Sequence, residues 1–162
     1  MGSIIALVGP TAVGKTDISI KLAHYLNAEI IGCDSMQVYS RMCRLTAQPT
    51  VTQRLDVPHH LIDCIQSTES FNVGRYQALA LSAIADIHNR GKTAMLVGGT
   101  GLYLKALTQG LCESPPANEC IRKVLEAEII EKGSQTLHSC LKEADPHAAK
   151  RIHPNDSHRI IR

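Results

Sequence analysis

Residues Gly9-Pro10-Thr11-Ala12-Val13-Gly14-Lys15-Thr16 follow the pattern G-x-x-x-x-G-K-(S/T). The run before them, Ser3-Ile4-Ile5-Ala6-Leu7-Val8, is apolar and β-branched, as a buried parallel strand requires. After them comes Asp17-Ile18-Ser19-Ile20-Lys21-Leu22-Ala23-His24-Tyr25-Leu26, with Ile18, Leu22 and Leu26 at helical spacing. A glycine loop between strand and helix aims consecutive backbone N–H groups and the positive end of the helix dipole at one cluster of oxyanions. Lys15 adds a point charge, and the Thr16 hydroxyl is placed to sit on Mg²⁺. This context commits the chain to an α/β fold of the phosphate-loop NTPase kind. It leaves open whose phosphates are held.

The rest of the chain extends that pattern. A second strand is predicted over Glu29 to Cys33, then a polar turn, Asp34-Ser35-Met36-Gln37. Residues 40–70 show no clean periodicity, apart from a short strand predicted around Leu61 to Ile65. Val73 to Arg90 reads as a long helix with Tyr76, Leu79, Ala80, Ala83, Ile84 and Ile87 on one face and Gly91 as its stop. Thr93 to Val97 is a further strand, turned by Gly98-Gly99-Thr100-Gly101 into a helix from Leu102 to Thr108. Strands alternating with helices predict a parallel sheet covered on both faces. Pro115-Pro116 marks a boundary between an α/β core over residues 1–114 and a helical segment over 115–162. Helices are expected at about Glu119 to Lys132, Gln135 to Glu143, Pro146 to Ile152 and from Asp156 onward. Three clear strands are few for such a sheet, which usually has about five. The chain also ends inside an amphipathic run, Arg159-Ile160-Ile161-Arg162, so an N-terminal fragment of a longer protein is expected.

Composition narrows the function classes. At 162 residues, with 44% hydrophobic and 20% charged content, the chain is long enough for one core and too apolar for disorder. With no Trp and one Phe, that core is expected to be aliphatic. A net charge of +2 does not by itself point to nucleic acid. The segment from His147 to Arg162 is different: Lys150, Arg151, Arg159, Arg162 and three interleaved histidines face a single acid, Asp156. Such a bias fits a phosphate backbone or a solvated helix face equally well. None of the six cysteines forms a C-x-x-C pair, which disfavours zinc, and reduced thiols in the cytoplasm are the simplest expectation. No run approaches the roughly 20 apolar residues of a membrane span.

Several side chains are placed to carry chemistry. Asp34 closes the second strand, where open α/β sheets bind their ligands. There it can hold Mg²⁺ through water, act as a base, or cap the next turn. The second glycine turn either admits a ligand or is merely tight. Thr11 can aim its hydroxyl at a transferred group. His59 and His60 are adjacent, so on a strand they point to opposite faces and cannot share a metal. At least one is expected to be structural. Arg122 reads as a surface residue.

Taken in order, the segments resemble the tRNA dimethylallyltransferase (tRNA isopentenyltransferase) family. The likeness rests on the phosphate loop Gly9 to Thr16, Asp34-Ser35-Met36-Gln37-Val38-Tyr39, Pro58-His59-His60-Leu61-Ile62-Asp63 and Phe71-Asn72-Val73-Gly74-Arg75-Tyr76. It continues through Val97-Gly98-Gly99-Thr100-Gly101-Leu102-Tyr103-Leu104-Lys105-Ala106-Leu107 and Arg151-Ile152-His153-Pro154-Asn155-Asp156. The resemblance implies transfer of a dimethylallyl group from dimethylallyl diphosphate to N6 of an adenosine beside the tRNA anticodon, with Mg²⁺. It implies catalytic roles for Asp34, Thr11 and Lys15, and diphosphate contacts from Gly9, Pro10, Thr11, Ala12, Val13, Gly14, Lys15 and Thr16. It places Asp34, Ser35, Met36, Gln37, Thr100, Arg122, His158, Arg159, Ile160, Ile161 and Arg162 on the tRNA side. A cytoplasmic monomer is expected, with tRNA and the allylic diphosphate as its partners. Where the family usually reads Gly-Thr-Ala-Lys-Pro, this chain has Leu45-Thr46-Ala47-Gln48-Pro49. Adenylate isopentenyltransferase activity on free nucleotide, a phosphate-loop kinase of small molecules, and a non-catalytic remnant are the alternatives.

Overall fold

The apolar run after Ser3 forms β1 (Ile4–Val8), and the glycine loop feeds it into α1 (Lys15–Leu26). The computed structural model describes residues 3–42, 45–111 and 118–162. The Pro115-Pro116 boundary, Cys43 and Cys112 lie outside them. The chain falls into two units, Met1–Cys112 and Glu113–Arg162.

In the first unit α1 leads to β2 (Ala28–Cys33), α2 (Val51–Asp56), β3 (His59–His60), α3 (Val73–Asn89), β4 (Thr93–Gly98) and α4 (Gly101–Gln109). Among the described residues the strands make one parallel sheet in the order β1-β4-β2-β3. Side chains alternate across it. Ile30 and Met95 face Ala23 of α1 and Val57, whereas Ile31, Cys33, Ala94 and Leu96 face α3 and α4. Helices therefore cover both faces.

Four expectations change. The strand predicted at Leu61 to Ile65 forms two residues earlier, as β3. Leu61 and Asp63 both take positive φ (57° and 56°), which breaks an extended run, and the β-pairing left there among the described residues is the single bridge of Ile65 to Tyr39. The irregular stretch contains α2, held by a capping box in which Thr50 and Gln53 satisfy each other's backbone N–H groups. Ile18, one of the apolar residues at helical spacing in α1, is 49% exposed, and Ser19 and Ala23 are the residues buried there. The core is also not purely aliphatic. Tyr39, Phe71, Tyr103 and Tyr76 form a chain of ring contacts, with the Tyr103 and Tyr76 rings stacked at 3.8 Å between centroids. Few aromatic residues in a composition do not prevent their convergence, and ring pairs add about 1 kcal/mol each beyond burial.

β2 carries one acid into the interior. Glu29 is 1% exposed. Its carboxylate receives hydrogen bonds from Arg90 at the end of α3, from Lys92 (2.9 Å) and from His60 Nε2 (2.8 Å). The end of α3, the turn after it and β3 are thus tied to the start of β2.

The second unit is helical: α5 (Glu119–Lys132), α6 (Ser134–Ala144), α7 (Pro146–Arg151) and α8 (Ser157–Ile161). Asn118, Asp145 and Asp156 cap α5, α7 and α8 through side-chain oxygens that accept backbone N–H groups. Its buried centre holds Leu137, Ala149 and Ile160, and His138 Nε2 donates to the Ala149 and Ile152 carbonyls. Across all described residues, no helix is long and apolar enough to cross a membrane.

Candidate active site

Parallel pairing brings the C-terminal ends of β1, β4 and β2 side by side, with Val8 and Cys33 both in register with Gly98. Open α/β sheets collect ligands at this edge. Gly9 N donates to Gly98 O (3.3 Å), while Gly99 N and Thr100 N both donate to Cys33 O (3.1 and 3.0 Å). The second glycine turn is therefore tight, because a Cβ on Gly98 would lie 2.1 Å from Cys33 O. Gly98→Ala is expected to cost about 3 kcal/mol, the upper end for overpacking, read as a lowered urea midpoint. An unchanged midpoint would mean that β2 and β4 separate more freely than this packing allows.

The same turn also walls a cavity of about 460 Å³. Gly9, Pro10 and Thr11 enter it from the phosphate loop, Cys33 from the end of β2, Asp34 from just beyond it, and Gly99, Thr100 and Gly101 from the turn, with Val8 and Leu104 beside them. The turn is thus tight and also lines a cavity.

Asp34 is half-buried, and its Oδ1 accepts from Met36 N (2.9 Å) and Gln37 N (3.3 Å). It caps its turn with one oxygen; among the described residues Oδ2 has no partner. Thr100 Oγ1 accepts from Ser35 N at 3.0 Å, so the turn is fixed from the opposite strand. Below them Tyr76 donates to Gly32 O (3.0 Å). Tyr76 and Tyr103, drawn from two of the segments that carried the resemblance, pack with Cys33 in the buried core. Burial pushes the Cys33 thiol up, and the Tyr76 and Tyr103 hydroxyls with it, so none of these supplies an anion at neutral pH.

Within the loop Ala12 and Gly14 take positive φ (67° and 83°), the kind of alternation that curls backbone N–H groups into an anion-binding nest. Lys15 does not line the cavity. Its Nζ donates to Gly9 O (2.9 Å) and to Pro10 O, keeping the cation folded against its own loop. Thr16 stands in the first turn of α1, and its hydroxyl has no hydrogen-bond partner among the described residues. That hard oxygen donor, one turn from the nest, fits Mg²⁺ shared with phosphate oxygens.

The segment that departs from the usual family pattern is stitched to the Asp34 turn. Gln37 Nε2 donates to Thr46 O (3.0 Å) and Ala47 O (3.3 Å). Gln48 Nε2 donates to Gln37 O (2.8 Å) and Tyr39 O (2.9 Å). Gln48 is buried and Leu45 exposed. His60 is bound to Glu29, and His59 Nδ1 lies 2.6 Å from Val57 O, so both histidines have structural partners. Burial pushes the His59 ring down, which keeps it neutral.

Of the predicted residues, the fold gathers Gly9, Pro10, Thr11, Asp34 and Thr100 around one cavity. Ser35 and Gln37 stand next to it through backbone N–H bonds to Thr100 Oγ1 and Asp34 Oδ1, and the Met36 side chain is exposed. Arg122 and the run from His158 to Arg162 belong to the other unit, where His158, Arg159 and Arg162 are exposed, Ile161 is half-buried and the Ile160 side chain is buried. Sequence reading missed Cys33 and Leu104 as cavity walls. The signal for Cys33 was available, since the last residue of a buried strand flanks whatever binds at the strand's end.

The family model described as IPP transferase matches residues 37–162. A tRNA dimethylallyltransferase of Syntrophobacter fumaroxidans is 46% identical over 159 residues, which are 98% of this chain and 46% of that protein. One of Bacillus licheniformis is 48% identical over 160 residues, covering 98% of this chain and 51% of that protein. The crystal structure of the full-length tRNA isopentenylpyrophosphate transferase from Bacillus halodurans matches 99% of this chain and 54% of its own, at 47% identity and a TM-score of 0.68. A eukaryotic dimethylallyltransferase acting on tRNA, also seen in crystals, matches 99% of this chain and 40% of its own, at 31% identity and a TM-score of 0.84. The chain thus spans about half the length of the curated relatives it matches.

Proposed function

The chain belongs to the IPP transferase family, and on that premise we propose that it serves the transfer of a dimethylallyl group from dimethylallyl diphosphate to N6 of an adenosine next to the anticodon in tRNA. The observation that carries this reading is the shared cavity, which Asp34 lines together with Gly9, Pro10 and Thr11 of the glycine loop. The relatives named above, described as acting on tRNA, supply the substrate class.

In this reading the loop N–H groups and Lys15 hold the diphosphate. Mg²⁺ on Thr16 would neutralise part of its charge. As the bond between the allylic carbon and the diphosphate oxygen breaks, its electron pair goes to the diphosphate, and the same donors stabilise the growing charge. N6 attacks the allylic carbon, and its proton passes to Asp34, whose Oδ2 is open while Oδ1 holds the turn. Thr11 faces the group in transit. Thr100 holds the Asp34 turn, and Ser35, Met36 and Gln37 lie on the side of the nucleoside. The adenosine must leave its stack to enter such a cavity.

The exposed Arg159 and Arg162 of the second unit, with the half-buried Arg122, are assigned to the tRNA backbone, with His158 beside them and the Ile160 and Ile161 side chains in a packing role. Residues 1–114 are the catalytic core and 115–162 the first part of a tRNA-binding segment in this reading. A cytoplasmic, monomeric enzyme belongs to the same proposal.

The direct test is transfer of label from dimethylallyl diphosphate to tRNA by the chain. Label on free adenosine nucleotides but not on tRNA, or phosphate transfer from ATP, would replace the reading. Lys15→Ala is expected to weaken diphosphate binding roughly 10- to 100-fold, the loss of one charge-assisted hydrogen-bonding group. Calorimetric titration checks this, and unchanged affinity would remove Lys15 from the site.

A further inference from the structure

Beside the first turn of α1 lies a second cavity, of about 20 Å³. Thr16, Ser19, Gln37 and His59 supply its polar wall, and Ile30 and Val97 part of its apolar one. Three of the four polar groups have already committed their protons. Ser19 Oγ donates to Thr16 O at 2.8 Å. Gln37 spends its amide N–H groups on Thr46 O and Ala47 O. His59 Nδ1 lies 2.6 Å from Val57 O, and since a carbonyl only accepts, Nδ1 carries the hydrogen. The neutral ring then has a bare Nε2. What remains is a set of lone pairs, on Ser19 Oγ, Gln37 Oε1 and His59 Nε2, together with one uncommitted hydroxyl, that of Thr16.

A water molecule matches this inventory. It accepts from the Thr16 hydroxyl and donates to two of the three acceptors. A buried water needs roughly 10–15 Å³ and two to four polar partners, and the cavity supplies both. The set contains no carboxylate, so it offers a divalent cation no compensating charge.

We propose that one buried water in this cavity joins Thr16 to His59 and Gln37, which makes His59 a positioning residue for the phosphate loop. Thr16 belongs to α1 and Gln37 to the Asp34 turn, so the water links the two sides of the candidate active site. The link has a chemical use that rests on the function proposed above. A hydroxyl that turns a lone pair toward Mg²⁺ must place its proton elsewhere, and the water accepts it.

Two substitutions separate this role from a structural one. His59→Asn sets an amide N–H where Nδ1–H stands, so it keeps the bond to Val57 O and loses Nε2. His59→Gln reaches the position of Nε2 and gives up the bond to Val57 O. Long-range ¹H–¹⁵N spectra of the wild-type chain are expected to show His59 as the Nδ1–H tautomer. Long-lived water cross-peaks are expected at Thr16 and Ser19, retained in His59→Gln and lost in His59→Asn. Titration with inorganic pyrophosphate and Mg²⁺ is expected to show affinity falling about tenfold in His59→Asn, the value of one net hydrogen bond, and by no more than about twofold in His59→Gln. The Nε2–H tautomer, absence of the water cross-peaks from the wild-type chain, or full affinity in His59→Asn overturns the proposal. A wild-type chain that binds no pyrophosphate overturns the phosphate reading of the loop instead, and the tautomer and cross-peaks still decide the water.

Discussion

Asp34→Asn is expected to bind dimethylallyl diphosphate as the wild-type chain does and to transfer its prenyl group roughly 10²- to 10⁴-fold more slowly, the range of general-base contributions. The variant is chosen for what it keeps. Asn retains an oxygen that accepts from Met36 N and Gln37 N, so the turn that Asp34 caps stays formed. It replaces the open Oδ2 with an NH₂ group, which cannot take the proton from N6 and instead sets donor against donor. Asp34→Ala is expected to lose the same chemistry and, in addition, about 1 kcal/mol of stability with the turn cap. Single-turnover transfer to tRNA, run beside diphosphate titration, checks both variants. Near-normal transfer by Asp34→Asn would reduce Asp34 to a cap and leave the proton acceptor to be found elsewhere.

Glu29→Ala is expected to destabilise the first unit by about 3–5 kcal/mol, the cost of breaking a buried ion pair from one side. Against a typical total of roughly 5–15 kcal/mol, that is enough to leave much of the chain unfolded. The carboxylate is 1% exposed and receives Arg90, Lys92 and His60 together. Removing it strands Arg90 and Lys92 against the end of the sheet, and it also leaves a void beside β2. Both cations keep part of their surface in water, which favours the lower half of the range. The network also has a pH signature. Arg90 first, then Lys92 and His60, hold the Glu29 carboxyl well below the usual carboxylate range, against the opposing effect of burial. A depressed carboxyl binds its proton more readily in the unfolded chain. Its contribution is therefore complete above the ordinary value near 4.5 and is lost as pH falls below it. Urea midpoints measured between about pH 3 and pH 7 are expected to fall steeply on the acid side in the wild-type chain, and less steeply in Glu29→Gln, which has no such group to protonate. Parallel acid limbs would mean that other carboxylates drive the acid transition.

The legible parts of this protein are those whose cause is local. The strand, loop and helix around Gly9 to Thr16 follow from a β-branched run, two glycines and a helical period. The long α3 and the helices after Asn118 follow from apolar spacing and from acid or amide caps. Errors appear where a distant group overrode local preference. Leu61 to Ile65 is rich in strand formers, yet its backbone turns at Leu61 and Asp63, and the Asp63 carboxylate is taken by Arg41 N and Arg54. Ile18 has the right spacing for a buried stripe, but the face that α1 turns to the sheet is set by β2 and β4. The aromatic cluster escaped notice because its members come from three separate segments.

The same division holds for the site. The sequence by itself determined the phosphate loop, the rank of Asp34 as a candidate base, and the family, because each rests on residue types at short fixed spacings. Only the tertiary structure decided that Gly9, Asp34 and Thr100, which lie far apart in the chain, share one cavity. Parallel register alone sets three strand ends abreast, and Gly98 alone permits them to close. It also decided that Asp34 splits its two oxygens between a turn and an open face, and that His59, His60 and Glu29 spend their polar atoms inside the fold. Hydrogen-bond partners across a sheet are fixed by register and burial, and neither is written in the spacing of one segment.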